Sequence, residues 1–404
     1  MQSLICPLAV LGQNGADTAG NIHDLLVKTG FEDVAVIDEP ETVFVSYSDP
    51  VYRGHFRGAL EVFHLLLNES VHKNIYLVLQ ENRLPAVVLK LSGEQAGDYL
   101  DKKISLAQLM SAVHISYDVD EYVRLFKKTK RENRSAGKVD FVIYPQISLN
   151  NSWLDKLYGS IFNIAPAVEV GLWKGASFTG QVIFPIWNNM KGEMDYIRAG
   201  MLLFRQEYRF PKNVFMTFHI GNFNASRMGA DVALKYISGN NRWQTGMNVG
   251  LTGSSTFYSG KWEISRWKRK TGAVFFRYNE PAYNLQFDLT GQRYIYGDYG
   301  IRLDCTRHFG EVAIGFYGMY SGGEPNGGFH FSVPLPGKKR MKRQAVRMCF
   351  PEYFDWEYEA QSGNEYAERR LGRFYETRPD ENRSQRYYTP SYMKEMLVKL
   401  AMER

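Results

Sequence analysis

A chain of 404 residues, 44% hydrophobic and 23% charged, is long enough for two or more domains and too apolar to be disordered. Its 26 Tyr, 25 Phe and 36 Gly favour strands and tight turns over helical bundles. The net charge is +6, the three cysteines (Cys6, Cys305, Cys349) form no CxxC pair, and the eight histidines are scattered. A zinc site, a disulfide framework beyond one Cys305–Cys349 bridge and a nucleic-acid module are therefore not expected.

The chain opens with "SLICPLAVLG" (3–12), a short apolar run ending like a small-residue cleavage site but lacking a basic leader. We read residues 1–12 as the remnant of a signal peptide; the alternative is a buried first strand. Residues 13–130 read as α/β. Asp17 can cap a helix whose apolar stripe is Ile22, Leu25 and Leu26 and which Gly30 stops. "VAVI" (34–37) and "TVFVSY" (42–47) are strands around an Asp-Glu-Pro turn, and Phe56, Leu60, Phe63 and Leu67 stripe a second helix. "NIYLVLQ" (74–80) and "AVVLKL" (86–91) form a hairpin with its turn at "ENRLP". Residues 105–113 and 118–128 look helical, and the polar stretch 127–138 reads as a linker. The order is roughly αββαββαα, with helices on one face of a sheet.

Residues 139–336 change period. In "YNLQFDLTGQRY" (283–294), Tyr283, Leu285, Phe287 and Leu289 alternate with Asn284, Gln286, Asp288 and Thr290. The same alternation sets Phe162, Ile164, Val168 and Val170 against Asn163, Ala165, Ala167 and Glu169. It also sets Tyr299, Ile301 and Leu303 against Gly300, Arg302 and Asp304. About twelve such segments follow one another between polar turns, many near the ten residues with which a tilted strand crosses a bilayer.

Alternation alone means a sheet with one wet and one apolar face, which fits a soluble sandwich as well as a membrane barrel. Length, the mixed polar second face and recurring aromatics favour the barrel. Trp173, Trp187, Tyr208, Trp243, Tyr294 and Tyr320 lie near segment ends, where interfacial girdles sit. No apolar run reaches the 18 residues of a membrane helix, so a closed barrel is the spanning option left. The expected fold is an α+β N-terminal region, an all-β transmembrane barrel over 139–336, and a basic, aromatic C-terminal tail over 337–404. That tail either stays in the periplasm or folds back to plug the barrel. Its basic run "KKRMKRQAVR" (338–347) reads as solvated surface, or as a contact for anionic lipid headgroups. It ends in a helix capped by Thr389, with Pro390 at its first position.

Chemistry is sparsely signalled. There is no GxSxG, HExxH, Walker loop or GxGxxG after a strand. His219 faces the polar side with Asp231 and Lys235 on the next strand, but a polar interior supplies such neighbours by chance, so we expect no enzyme and no cofactor. Asp288, Arg302, Asp304 and Glu311 are expected to form an ion-pair network filling a narrow lumen. Together with Glu169 and His219 they are the candidates for lumen lining and glycan contact. No metal site is expected.

"LLVKTGFEDVAVI", "VFVSYSDPVYRGHFRGALEVFHLL" and "IYLVLQENRLPAVVLKL", with the late "GGFHFSVPL", resemble the YjbH/GfcD family of exopolysaccharide- and capsule-associated outer-membrane proteins. The resemblance covers most of 17–336 and rests on structural motifs. It implies an outer-membrane barrel with periplasmic α/β domains, in contact with outer-membrane lipid, exopolysaccharide and periplasmic export proteins, and with no nucleic acid. Family members are much longer and hold two barrels' worth of strands, whereas this chain has room for one. Two alternatives stand beside an export role: a scaffold with a filled lumen, and an outer-membrane hydrolase.

Overall fold

Apolar spacing in the first third of the chain builds a small five-stranded sheet with helices. The computed structural model describes residues 10–69, 72–150, 159–189, 195–258, 260–360, 364–379 and 389–404. The chain divides into one unit of Met1–Ser135, Gly337–Arg343 and Tyr388–Arg404, and a second of Ala136–Pro336 and Gln344–Tyr387.

In the first unit, α1 (Val10–Thr29) is followed by β1 (Glu32–Asp38), β2 (Thr42–Ser48), α2 (His55–Glu69), β3 (Asn74–Glu81) and β4 (Leu84–Leu91). Then come α3 (Gly93–Leu100), α4 (Leu106–Ala112), β5 (His114–Ser116) and α5 (Asp120–Leu125). The strands lie in chain order, β2 and β3 parallel across the α2 crossover and the other neighbours antiparallel. Both expected hairpins form. The second turns at Asn82 and Arg83, whose positive φ values of 48° and 63° suit a tight two-residue turn rather than a longer loop. Gly30 ends α1 at φ 110°, its N–H bonded to the carbonyls of Leu26 and Val27. Phe56, Leu60, Phe63 and Leu67 of α2 are all buried. Tyr47 packs edge-on against Phe31 with ring centroids 4.9 Å apart, and burial beside Asp49 holds its phenol well above the ordinary value.

Several expectations change here. α1 begins at Val10, so Asp17 lies inside the helix and does not cap it. The expected signal remnant falls mostly on residues 1–9, outside the described residues. The stretch read as a linker is docked on the sheet: Glu132 bridges to Val34, and Asn133 Nδ2 donates to the Phe31 carbonyl at 2.6 Å. The basic run is tethered at two points, while Lys338, Lys339, Met341 and Lys342 stay exposed as a solvated surface would. Arg340 N–H bonds the Val51 carbonyl at 2.7 Å, and Arg343 Nε reaches the fully buried Glu32 at 3.2 Å. The C-terminal helix α7 (Pro390–Met402) belongs to this unit and buries Met393, Met396, Leu397 and Leu400. Its cap is as read, with Thr389 Oγ1 accepting from the Tyr392 N–H at 3.3 Å.

The second unit is one large sheet. Its strands are β6 (Val139–Asn150), β7 (Gly159–Gly171), β8 (Ala176–Asn188), β9 (Arg198–Phe210), β10 (Val214–Phe223), β11 (Arg227–Ile237) and β12 (Trp243–Tyr258). These are followed by β13 (Lys261–Ile264), β14 (Arg269–Glu280), β15 (Leu285–Arg293), β16 (Tyr299–Phe309), β17 (Val312–Ser321) and β18 (Glu324–Pro334). Neighbours in sequence are neighbours in the sheet, all antiparallel; β13 is a short flap on β12. Two further strands come from the stretch read as a strandless tail. β19 (Val346–Cys349) lies parallel to β6, and β20 (Tyr353–Glu359) pairs with β18. The sheet therefore has 15 strands among the described residues, against the dozen expected. Parts of β20 lie within 8 Å, Cα to Cα, of β6, although no ladder joins the two strands among the described residues. No described helix is long and apolar enough to cross a membrane, and Cys305 and Cys349 are free.

The sheet is inverted relative to a soluble one. Val249, Val274, Ile301 and Phe316 are 59%, 63%, 59% and 66% exposed, while Asn279, Gln286, Arg302 and Asp304 are at most 6% exposed. Tyr283 and Leu289 of the segment 283–294 follow the first pattern, and Gln286 follows the second. A sandwich core would show the reverse.

Phe63 is fully buried on α2. Replacing it with Ala should destabilise the first unit by about 3–5 kcal/mol. Hydrogen exchange of the β2–β3 amides should speed up accordingly; unchanged protection would contradict the packing described.

Candidate functional site

Every second residue of the large sheet points to the polar face, and pairing register decides which side chains meet there. Asp288 of β15 sits directly opposite Asp304 of β16. Two facing carboxylates repel unless each has its own cation. Each does. Arg277, opposite Asp288 on its other side, donates to it through Nε at 2.5 Å and Nη2 at 2.9 Å. Arg302 grips Asp304 (Nε to Oδ2 at 2.8 Å, Nη2 to Oδ1 at 2.6 Å) and forks onto Glu357 of β20 at 3.0 and 2.9 Å. Its guanidinium carbon lies 3.6 Å from the centroid of the Tyr317 ring. Gln286 Nε2 donates to Asp288 at 2.6 Å, and its carbonyl oxygen lies 3.2 Å from His308 Nε2.

A second cluster lies at β6 and β7. Arg347 of β19 forms two 2.9 Å bonds to Asp140, and the Tyr144 hydroxyl donates to Glu169 at 2.5 Å. A third centres on Asp231 of β11, which accepts from Asn248 Nδ2 at 3.2 Å and the Tyr375 hydroxyl at 3.0 Å. His219 faces Asp231 across the strands, but its Nδ1 is 3.6 Å from the nearest carboxylate oxygen, too far for a hydrogen bond. Among the described residues no hydroxyl is bonded to His219, so the parts of a nucleophile–base–acid relay are not assembled.

Tyr375 does not belong to the sheet. After β20 the chain forms α6 (Asn364–Glu368) and then runs over the polar face. Gly372 N–H donates to Asp298 at 2.8 Å, the Arg373 carbonyl accepts from Ile295 N–H at 2.9 Å, and Glu376 N–H donates to Asn224 at 2.6 Å. The Tyr375 ring stacks on Phe223 with centroids 5.0 Å apart, and its hydroxyl meets Thr271 at 3.0 Å. This strap ties the β15–β16 turn to the β10–β11 turn.

Of the residues expected in the interior, Glu169, His219, Asp288, Arg302 and Asp304 lie on the polar face. They form three clusters rather than one. Glu311 does not join them: it is half-buried in the turn between Phe309 and Val312. Of the expected girdle, Trp173, Trp187, Tyr208, Trp243 and Tyr320 are exposed, but Tyr294 is 1% exposed, packed with Tyr317, Met319 and Phe374. Its turn curls back over the polar face. Sequence reasoning missed Arg277, Glu357, Tyr144 and Tyr375. Alternation in "VFFRYNE" and "YFDWEYE" carries the signal for the first two; nothing local announces the strap.

No family model matches the chain, and no curated protein does. Among solved structures it is similar to OmpT of Vibrio cholerae with loop L8 deleted, an outer membrane protein. Identity is 8% and the TM-score 0.29, over 55% of this chain and 93% of that one. A likeness at that score carries no argument about fold or activity.

Arg302 is buried between two carboxylates. Arg302→Met leaves Asp304 and Glu357 facing each other and should cost about 3–5 kcal/mol. Adding Asp304→Asn and Glu357→Gln should recover part of it. Thermal melting in detergent checks this; equal melting of all three proteins would mean the cluster adds nothing.

Proposed function

We propose that the large sheet closes into an outer-membrane β-barrel that anchors, rather than conducts, in exopolysaccharide or capsule export. The observation that carries the membrane reading is the inversion of the sheet, with apolar side chains outside and polar side chains buried. Hydrocarbon is the surrounding in which that arrangement is favourable, and closure satisfies the edge amides there. Exposed aromatics support it by falling at both strand ends. Trp173, Tyr208 and Trp243 stand beside one set of turns, and Trp187, Tyr258 and Tyr320 beside the other. On β16, Tyr299 and Phe309 are both exposed. At about 3.3 Å per residue and a tilt near 45°, their outward-facing stretch spans roughly 23 Å, the height of a barrel's apolar band.

The export role rests on the sequence resemblance to the YjbH/GfcD proteins. In this reading the α/β unit and the chain termini are periplasmic, where they dock export proteins or nascent polymer, and no cofactor is needed. The filled interior favours anchor and scaffold over conduit: three polar clusters, two of them built on ion pairs, and the strap through Tyr375 occupy the face a polymer would touch. A hydrolase would need His219 to act as a base, and its distance from Asp231 and lack of a bonded hydroxyl speak against that.

Outer-membrane extracts should yield the protein only with detergent, and unheated samples should migrate faster in gels than boiled ones. In planar bilayers the wild type should show no stepwise conductance, while a chain lacking 372–376 should. Large steady pores in the wild type would sink the anchor reading. A deletion strain with unchanged surface polysaccharide would sink the export role.

A further inference from the structure

The outward face of β12–β16 is not smooth. Gly272 on β14 and Gly291 on β15 leave a depression of about 610 Å³, walled by Met247, Val249, Val274, Ile301 and Tyr320. That volume is in the range of sites for small amphiphilic ligands. A Cβ added at Gly291 would meet nothing within 4 Å, and one at Gly272 nothing closer than 3.5 Å. The glycines are therefore not required by close packing of the protein against itself.

The groove runs to a cationic end. Arg293 lies opposite Gly272 across the strands and lines the depression; Lys270 stands two residues along β14 on the same face. Arg293 Nη1 donates to the Lys270 carbonyl at 2.6 Å, which fixes the guanidinium at the groove mouth, and its Nε is buried with no partner. Arg266 and Lys268 continue the basic stretch, and every residue from Lys261 to Lys270 is exposed. Among the described residues none of these four cations is paired with a carboxylate. An apolar trough leading to unpaired cations at the rim of a sheet has the polarity of one amphiphile, with its tail inward and an anionic head at the end.

Building on the membrane reading, we propose that this groove holds one bilayer lipid with an anionic phosphate headgroup. Its acyl chain lies over Gly272 and Gly291 and its phosphate on Arg293 and Lys270. Charge complementarity selects this occupant over a second copy of the chain, whose equivalent face would bring the same cations together.

The full chain would be reconstituted in nanodiscs of phosphatidylglycerol or of phosphatidylcholine, returned to detergent and weighed by native mass spectrometry. The wild type should retain one phosphatidylglycerol and little phosphatidylcholine. Each surface cation contributes on the order of a fivefold preference, so Arg293→Gln with Lys270→Gln should lower retention by roughly 25-fold. Gly291→Leu puts a side chain into the trough at a position where an added Cβ meets nothing within 4 Å, and should abolish retention while leaving heat-modifiable mobility intact. Equal retention of both lipids, or retention unchanged in these variants, overturns the groove. So does a dimer that Gly291→Leu splits. A chain that enters both bilayers but keeps neither lipid overturns the groove alone; one that enters neither overturns the membrane reading with it.

Discussion

Polar groups buried on one face of the large sheet have to find partners among themselves, and most of the unit's arrangement follows from that. Desolvating a charge without a partner costs several kcal/mol, so each buried carboxylate acts as a demand for a nearby cation. The facing pair Asp288 and Asp304 is tolerated because Arg277 and Arg302 approach from opposite sides. Arg302 has N–H donors left over, and Glu357, which accepts two of them, comes from β20, beyond the run of strands 139–336. Glu357 thereby ties the edge of the sheet to its interior. The same reasoning explains why Arg347 of β19 settles on Asp140.

The first unit solves the ordinary problem. Its apolar residues go inside, its helix stripes pack as heptad-like spacing dictates, and its buried charges are few. Glu32, Asp33 and Arg53 are among them, and a side chain from far along the sequence, Arg343, meets Glu32. A basic run looks in isolation like solvated surface, yet one of its members balances a buried carboxylate. The chain returns twice to this unit, at 337–343 and at α7, and the second return adds Met393, Met396, Leu397 and Leu400 to its core.

What was legible in the sequence was periodicity. Period-two alternation marked the strands of 139–336, and helical stripes marked α2 and α7, because both report a face and need no partner to be read. What was not legible depended on partners. β20 alternates as plainly as any strand, but its polar positions, Asp355, Glu357 and Glu359, made it look like a charged tail. Tyr294 sits at a strand end like the girdle residues; only the curl of its turn, packed under Phe374, takes it inside. The basic positions 266–270 stand out less in the sequence than 338–347 because they are interleaved with Trp267 and lie between two strands. The structure leaves exposed the cations of the quieter run and engages several of the louder one.

The strap is the feature that most constrains function. If the sheet closes as proposed, ion pairs alone could still let water or ions pass between clusters, since side chains move on fast timescales. Residues 372–376 are held differently. Backbone bonds fix them to the β15–β16 and β10–β11 turns, and Tyr375 adds a stacked ring and two hydroxyl contacts. Moving such a segment means breaking several bonds at once. Asp231 adds to the cost: it accepts from Asn248 and the phenol, and without Tyr375 a buried charge loses a donor. In the proposed barrel, displacing the strap would therefore need a partner that also meets Asp231, which a neutral polymer does not do.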